Sequence, residues 1–281
     1  MRRVSRRKII IAKNIGFCSG VERAVKLAEE SLSQCKKVYT LDALLHNEKE
    51  MQRLKEKGVS VLTDLKQKGK VVLLPAHGST AIERKKADEN FEKVINTVCP
   101  FVLRTVQIIE KLKKEHYKIA IVGDRGHREV KVLSDAASCN LLGVFQDRDE
   151  IKKELKTLKI GVVAQSTMDQ GTFFSIVTEL ITIADELIFF NTICKETLSR
   201  QAEAKEIAKK ADCMLVIGDK TSANSCRLFQ MVKEINEYSY FIQTEDDLVI
   251  IPFERFNIIG IASGTSTPYW LIEKVVRGIK K

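Results

Sequence analysis

The sequence predicts an α/β protein of three similar lobes, each with a small, mainly parallel sheet, set around a pseudo-threefold axis with a central site. Three observations predict it. Short β-branched or apolar runs alternate with amphipathic stretches along the whole chain, as when parallel strands are covered by helices. A cysteine stands at a strand-to-helix junction three times, as Cys18, Cys99 and Cys194. A polar residue follows each of them 28 positions later, as His46, His127 and Ser222.

The strands are expected at KIIIAKN (8–14), KKVYTL (36–41), VVLLPA (71–76), KIAIVG (118–123), IGVVAQ (160–165), CMLVIG (213–218) and NIIGIAS (257–263). Helices such as ERAVKLAEESL and RTVQIIEKLKK lie between them. Cys99 and Cys194 share the string Asn-Thr-(Val/Ile)-Cys, and Pro100 suits the first position of a helix. After each cysteine the order repeats: helix, strand, polar loop, strand, second polar loop. The second loops are PAHGST with His77, AQSTM with Ser166 and Thr167, and ASGTSTP with Ser266. Ligands gather at the carboxyl ends of strands in open parallel sheets, so three thiols and six polar loops are expected to meet. The lobes are expected at 1–98, with the N-terminal strand, 99–193 and 194–262. Residues 263–281 are expected to return to the centre and the first lobe. A length of 281 residues is more than one core comfortably serves.

Composition narrows the classes. Hydrophobic residues are 44% and charged residues 30%, which is ordinary for a globular chain. No apolar run approaches the roughly 20 residues of a membrane span. The apolar part of MRRVSRRKIIIA ends at Ala12, too short for a signal peptide, so a cytoplasmic, membrane-free protein is expected. Seven dispersed cysteines fit reduced thiols better than a disulfide framework; Cys35, Cys139 and Cys213 read as packing or surface residues, and Cys226 as a residue near a helix start. The net charge of +10 suits an anionic partner, but no aromatic-rich basic strand reads as a nucleic-acid surface. A small phosphorylated molecule fits better.

Thiols at helix starts are held as thiolates by the local positive potential. Three of them can hold zinc with a fourth ligand, or three irons of a cubane cluster whose fourth iron stays open; spacing alone leaves both open. His46, His77 and His127, three of the four histidines, lie in strand-end loops, while His116 reads as an exposed turn residue. With Ser222, Asn224 and Ser266 they form a donor-rich set suited to phosphate oxygens. Glu129 follows His127 by two residues, and an extended segment would turn both to one face. Partly desolvated there, its carboxyl would have a raised pKa and could deliver protons.

The strings GFCSGVERA, LLHN, AHG, Cys99-Pro100, GHREV, AQST, TICKET, KTSANS and GTSTP, in that order over residues 8–268, resemble the 4-hydroxy-3-methylbut-2-enyl diphosphate reductase family. The resemblance implies a three-lobed α/β enzyme with a 4Fe-4S cluster on Cys18, Cys99 and Cys194. It implies reductive dehydroxylation of a small diphosphate substrate to isopentenyl and dimethylallyl diphosphate, the last step of the methylerythritol phosphate route, with reduced ferredoxin or flavodoxin as electron donor. It assigns diphosphate contacts to His46, His77, Ser222, Asn224 and Ser266, with His127 also lining the site. Glu129 is the implied proton source, aided by the Ser166-Thr167 loop. The sequence departs from the family pattern at Arg128, where proline is common, at Ser166, which replaces a threonine, and at Ala223, where a second serine is usual. Loss of the proline is expected to loosen the loop that carries Glu129.

Overall fold

The computed structural model describes residues 7–151 and 157–279. In chain order these form β1 (Lys8–Ile11), α1 (Ser19–Gln34), β2 (Val38–Thr40), α2 (Glu48–Lys57), β3 (Val59–Val61), β4 (Gly69–Leu74), α3 (Ala81–Asn90) and β5 (Phe91–Asn96). Then come α4 (Pro100–Lys114), β6 (Lys118–Val122), α5 (Arg128–Ala137), β7 (Leu141–Phe145), β8 (Thr157–Ala164), α6 (Gln170–Ile181) and β9 (Ala184–Phe189). The last are α7 (Lys195–Ala208), β10 (Cys213–Ile217), α8 (Ala223–Lys233), β11 (Ser239–Ile242), β12 (Ile258–Ser263) and α9 (Tyr269–Ile279).

The strands form three four-stranded sheets, ordered β3-β2-β4-β5, β7-β6-β8-β9 and β11-β10-β12-β1. Every pairing is parallel. The order is the same in all three: second, first, third, fourth strand of the repeat. In the third sheet the fourth strand is β1, which pairs Ile9 with Ile259 and Ile11 with Ile261. The N-terminal strand was expected in the lobe of residues 1–98, and it lies in the third sheet instead. Among the described residues the third repeat runs from β12 into α9, and the Ile9–Ile11 run takes the fourth place beside β12.

Central strands carry the apolar runs because helices cover both their faces. In β6 all residues but Lys118 are buried, and β10 is buried throughout. Leu215, Ile259 and Ile261 pack with Leu271, Ile272 and Val275 of α9, each such side chain contributing about 1.5–3 kcal/mol when fully buried. The C-terminal segment thus covers the third sheet. Ile109, Leu112, Ile119, Ile121 and Leu133 make the corresponding core beside β6. The chain packs as two compact units. One holds the β11-β10-β12-β1 sheet, with the residues up to Glu22, His46–Arg53 and Lys195 onward; the other holds the remaining two sheets, in Arg23–Leu45 and Leu54–Cys194. Among the described residues, no helix is long and apolar enough to cross a membrane.

Candidate active site

Each of the three cysteines follows the fourth strand of a repeat and precedes a helix: β1 and α1 for Cys18, β5 and α4 for Cys99, β9 and α7 for Cys194. Each is anchored the same way. Its amide donates to a carbonyl in the loop after the third strand, Cys18 to Thr265 at 3.0 Å, Cys99 to Ala76 at 2.9 Å and Cys194 to Ser166 at 2.9 Å. The shared Asn-Thr pair explains itself here. Asn96 Oδ1 accepts the Val98 amide and Asn191 Oδ1 accepts the Ile193 amide, which closes a local turn. The hydroxyls of Thr97 and Thr192 then donate to the carbonyls of Leu74 and Ala164, the last residues of β4 and β8. At Cys18 the polarity reverses, and the Gly16 amide donates to Ser263 Oγ at 2.9 Å. Gly16 has φ +88°, and a Cβ there would meet the Tyr269 ring at 2.7 Å, so glycine is required for this approach.

In the two-sheet unit, Cys99 caps α4 and Cys194 precedes α7. Burial pushes the Cys99 thiol up; the amides of Phe101 and Val102 oppose this, and the nearby charges of Cys194 and Glu129 add to it. Two thiols and a carboxyl therefore share one neighbourhood. Glu129 is only 3% exposed. Its Oε1 accepts the Ser166 amide at 2.7 Å and its Oε2 accepts the Ser166 hydroxyl at 2.6 Å. Burial raises its pKa, and these two donors hold the rise back. The segment is not extended as expected: α5 starts at Arg128, with Glu129 as its second residue. His127 is the N-cap, and its Nδ1 accepts the Glu129 amide at 3.1 Å. With that nitrogen accepting, Nε2 is the ring nitrogen that can donate.

Thr167 accepts from Gln165 Nε2 at 2.9 Å, and Gln165 Oε1 accepts the Asp124 amide, tying the loop after β8 to the loop after β6. His77 is buried in the loop after β4. Gly78 beside it has φ +96°, and a Cβ would press on Val132 at 3.0 Å, which accounts for the glycine of AHG. Arg128 ties its loop to two other segments. It forks onto Glu83 at 3.0–3.1 Å and lies 2.7 Å from Asp42.

In the one-sheet unit, Ser222, Asn224 and Ser266 are each about 3–5% exposed. Ser222 caps α8 through the Ser225 amide. The Ser266 hydroxyl donates to the His46 carbonyl at 2.8 Å, joining the loops after β12 and β2. Sequence reading passed over two acids that organise these loops. Asp219 is buried; it accepts the Glu48 amide at 2.8 Å and both the amide and the hydroxyl of Thr221. It thus joins the loop carrying His46 to the one carrying Ser222. Glu50 is fully buried and accepts from Arg53 and from Trp270 Nε1 at 2.9 Å, linking α2 to α9. The Asp-x-Thr string after β10 was the available signal for the first, as a side-chain-closed turn.

Thiols at helix starts are the donor type that iron–sulfur clusters take. Among the described residues no group of three or more His, Cys, Asp or Glu side chains that could hold a metal ion is gathered. Cys213 is different: it is wholly buried in β10, and burial pushes its thiol to about 12.

The family model described as LytB protein matches residues 9–280. The 4-hydroxy-3-methylbut-2-enyl diphosphate reductase of Aquifex aeolicus is 38% identical over 97% of this chain and 96% of its own length. That of Geotalea uraniireducens is 36% identical, over 98% and 97%. A solved (E)-4-hydroxy-3-methyl-but-2-enyl diphosphate reductase, described as the terminal enzyme of the non-mevalonate pathway, is 37% identical with a TM-score of 0.73, covering 98% and 99%. The structure of the E-1-hydroxy-2-methyl-but-2-enyl-4-diphosphate reductase from Plasmodium falciparum is 25% identical with a TM-score of 0.87, covering 97% and 87%.

Proposed function

The chain belongs to the LytB family, and from that premise we propose that it reduces (E)-4-hydroxy-3-methylbut-2-enyl diphosphate to isopentenyl and dimethylallyl diphosphate. The balance is two electrons and two protons in, one C–O bond broken, one C–H bond formed and one water out, with reduced ferredoxin or flavodoxin as the electron source. Cys18, Cys99 and Cys194 are the proposed ligands of a 4Fe-4S cluster. Such a cluster, when bound, supplies single electrons and a Lewis-acidic iron for the substrate hydroxyl. The rest of the work falls to side chains. His46, His77, Ser222, Asn224 and Ser266 hold the diphosphate, with His127 lining the site, so binding energy far from the reacting carbon orients it. Glu129 delivers the proton that lets hydroxyl leave as water.

The observation that carries this reading is the buried Glu129 carboxyl, in hydrogen-bond contact with the half-buried Ser166 hydroxyl and close enough to Cys99 for charge to be felt. A carboxyl whose pKa is raised by burial is suited to give up a proton in turnover, and Ser166 offers a path for it; Thr167 supports the same loop. The test is anaerobic purification with iron and sulfide quantitation, followed by turnover with a chemical reductant. Near four irons per chain and formation of both isomeric diphosphates are expected. A colourless protein holding one zinc would sink the assignment. Cys→Ser at 18, 99 or 194 should each strip most of the iron, while Cys35→Ser and Cys139→Ser should not.

A further inference from the structure

Arg128 is the first residue of α5, between the His127 cap and Glu129. Its guanidinium is gripped from two sides: Nη1 and Nη2 fork onto the Glu83 carboxylate, and Nε lies 2.7 Å from Asp42 Oδ2. Asp42 Oδ1 already accepts the Ala43 amide at 2.7 Å. That leaves Oδ2 as the oxygen open to a cation, and it faces two. His77 Nε2 is 3.8 Å from the same Oδ2, beyond direct hydrogen-bond reach. The guanidinium is always charged and weakly hydrated, whereas an imidazole is charged only in part at neutral pH. Arg128 therefore wins the carboxylate.

We propose that Arg128 is a positioning residue that holds Asp42 off His77, leaving the imidazole to bind the substrate diphosphate; this rests on the reading of His77 as a diphosphate contact. Without the guanidinium, Asp42 Oδ2 keeps His77 Nε2 only 3.8 Å away, close enough to compete for the imidazole. The imidazole would then be engaged by a carboxylate, and an uncompensated negative charge would stand beside the phosphates. Both effects weaken anion binding. Glu83 holds the Nη1 and Nη2 end of the guanidinium, whereas Asp42 is the carboxylate beside His77.

The test is affinity for (E)-4-hydroxy-3-methylbut-2-enyl diphosphate, by anaerobic calorimetry on the cluster-loaded, unreduced enzyme, together with kcat and KM. Arg128→Ala should weaken binding roughly 10-fold while kcat stays within about threefold. Asp42→Ala added to Arg128→Ala should recover most of that affinity. Glu83→Gln, which disturbs the same network without freeing Asp42, should cost less than about threefold. Parental affinity in Arg128→Ala, a loss of kcat in place of affinity, or a double variant no better than Arg128→Ala would overturn the proposal. Arg128→Gln, which keeps most of the side-chain volume, carries the same expectations if the alanine variant does not fold. His77→Ala separates the two levels. If it leaves affinity unchanged, the reading of His77 is wrong; if it weakens affinity while Arg128→Ala does not, only the role of Arg128 fails.

Discussion

Glu129 and Asp219 are both buried carboxyls, yet their surroundings assign them different work. Glu129 has its charge opposed by burial and only partly favoured by Ser166, so it is suited to carry a proton. Replacing it with glutamine keeps the shape and removes the transferable proton. Glu129→Gln should lower kcat by about 10²–10³-fold, the range of general acid catalysis, with iron content and substrate affinity near parental. Turnover equal to the parent would remove Glu129 from the proton path. Asp219 receives three hydrogen bonds from Glu48 and Thr221, so it serves as a brace. Asp219→Ala leaves buried donors unpaired, at about 1–3 kcal/mol, and loosens two loops assigned to the diphosphate. A lower unfolding midpoint and weaker diphosphate binding, with Glu129-dependent proton delivery intact, are expected in denaturation and calorimetry. The residue types at strand ends could be read from the sequence because packing has no use for His, Glu or Asn there. The long-range ties of Asp219 to Glu48, Asp42 to Arg128 and Glu50 to Trp270 could not, since each joins residues far apart along the chain.

Helix starts matter more here than helix interiors. Among the described residues each helix begins just after the carboxyl end of a strand, and His127, Ser222 and Thr80 cap α5, α8 and α3. The α3 cap is reciprocal: Thr80 Oγ1 accepts the Glu83 amide, and Glu83 accepts the Thr80 amide. Partial burial pushes the Glu83 carboxyl up, but Arg128 and Thr80 together outweigh it and leave it below its ordinary 4.5. A carboxyl lowered in the folded state adds stability above the unfolded value and loses it as pH falls through the folded one. Glu83→Gln should therefore lower Tm by a few degrees at pH 7, about 1 kcal/mol or less after solvent screening. That difference should shrink as the pH drops below 4.5, and a constant gap down to pH 3 would contradict the account. The seven strands expected from apolar runs match the first and third strands of each repeat, plus β1. Left out were β3, β5, β7, β9 and β11, which are edge strands. FEKVIN and ADELIF carry adjacent exposed charges, as edges do, and this hid them from a search for apolar runs.

Fourth strands decide how the molecule closes. In the repeat of β2 to β5, α3 runs directly into β5; in the repeat of β6 to β9, two residues separate α6 from β9. The third repeat has α9 at one end of the chain and its fourth strand, β1, at the other. The repeat read from cysteine to second polar loop has its named elements in sequence, but a helix and an edge strand (α2 and β3, α5 and β7, α8 and β11) stand between its two strands. Its frame was shifted, because the strand preceding each cysteine belongs to the sheet before it. This gives a test that no single substitution supplies. Residue 281 can be joined to residue 1, so that 280–281 and 1–7 form the connection from α9 to β1. New termini can be opened in the polar segment at Gln67–Lys68, between β3 and β4. Each sheet keeps its strand order and register, and closing one short loop while opening another changes chain entropy little. The permuted chain should fold cooperatively, with a Tm within roughly 5 °C of the parent, load iron at Cys18 as well as at Cys99 and Cys194, and turn over. Cys18 is the sensitive reporter, since its position depends on β1 lying against β12. A permuted chain that folds yet loses the iron that Cys18→Ser also removes would show that β1 needs a free end to reach its place, and the threefold strand order would not be the principle that sets the cysteines.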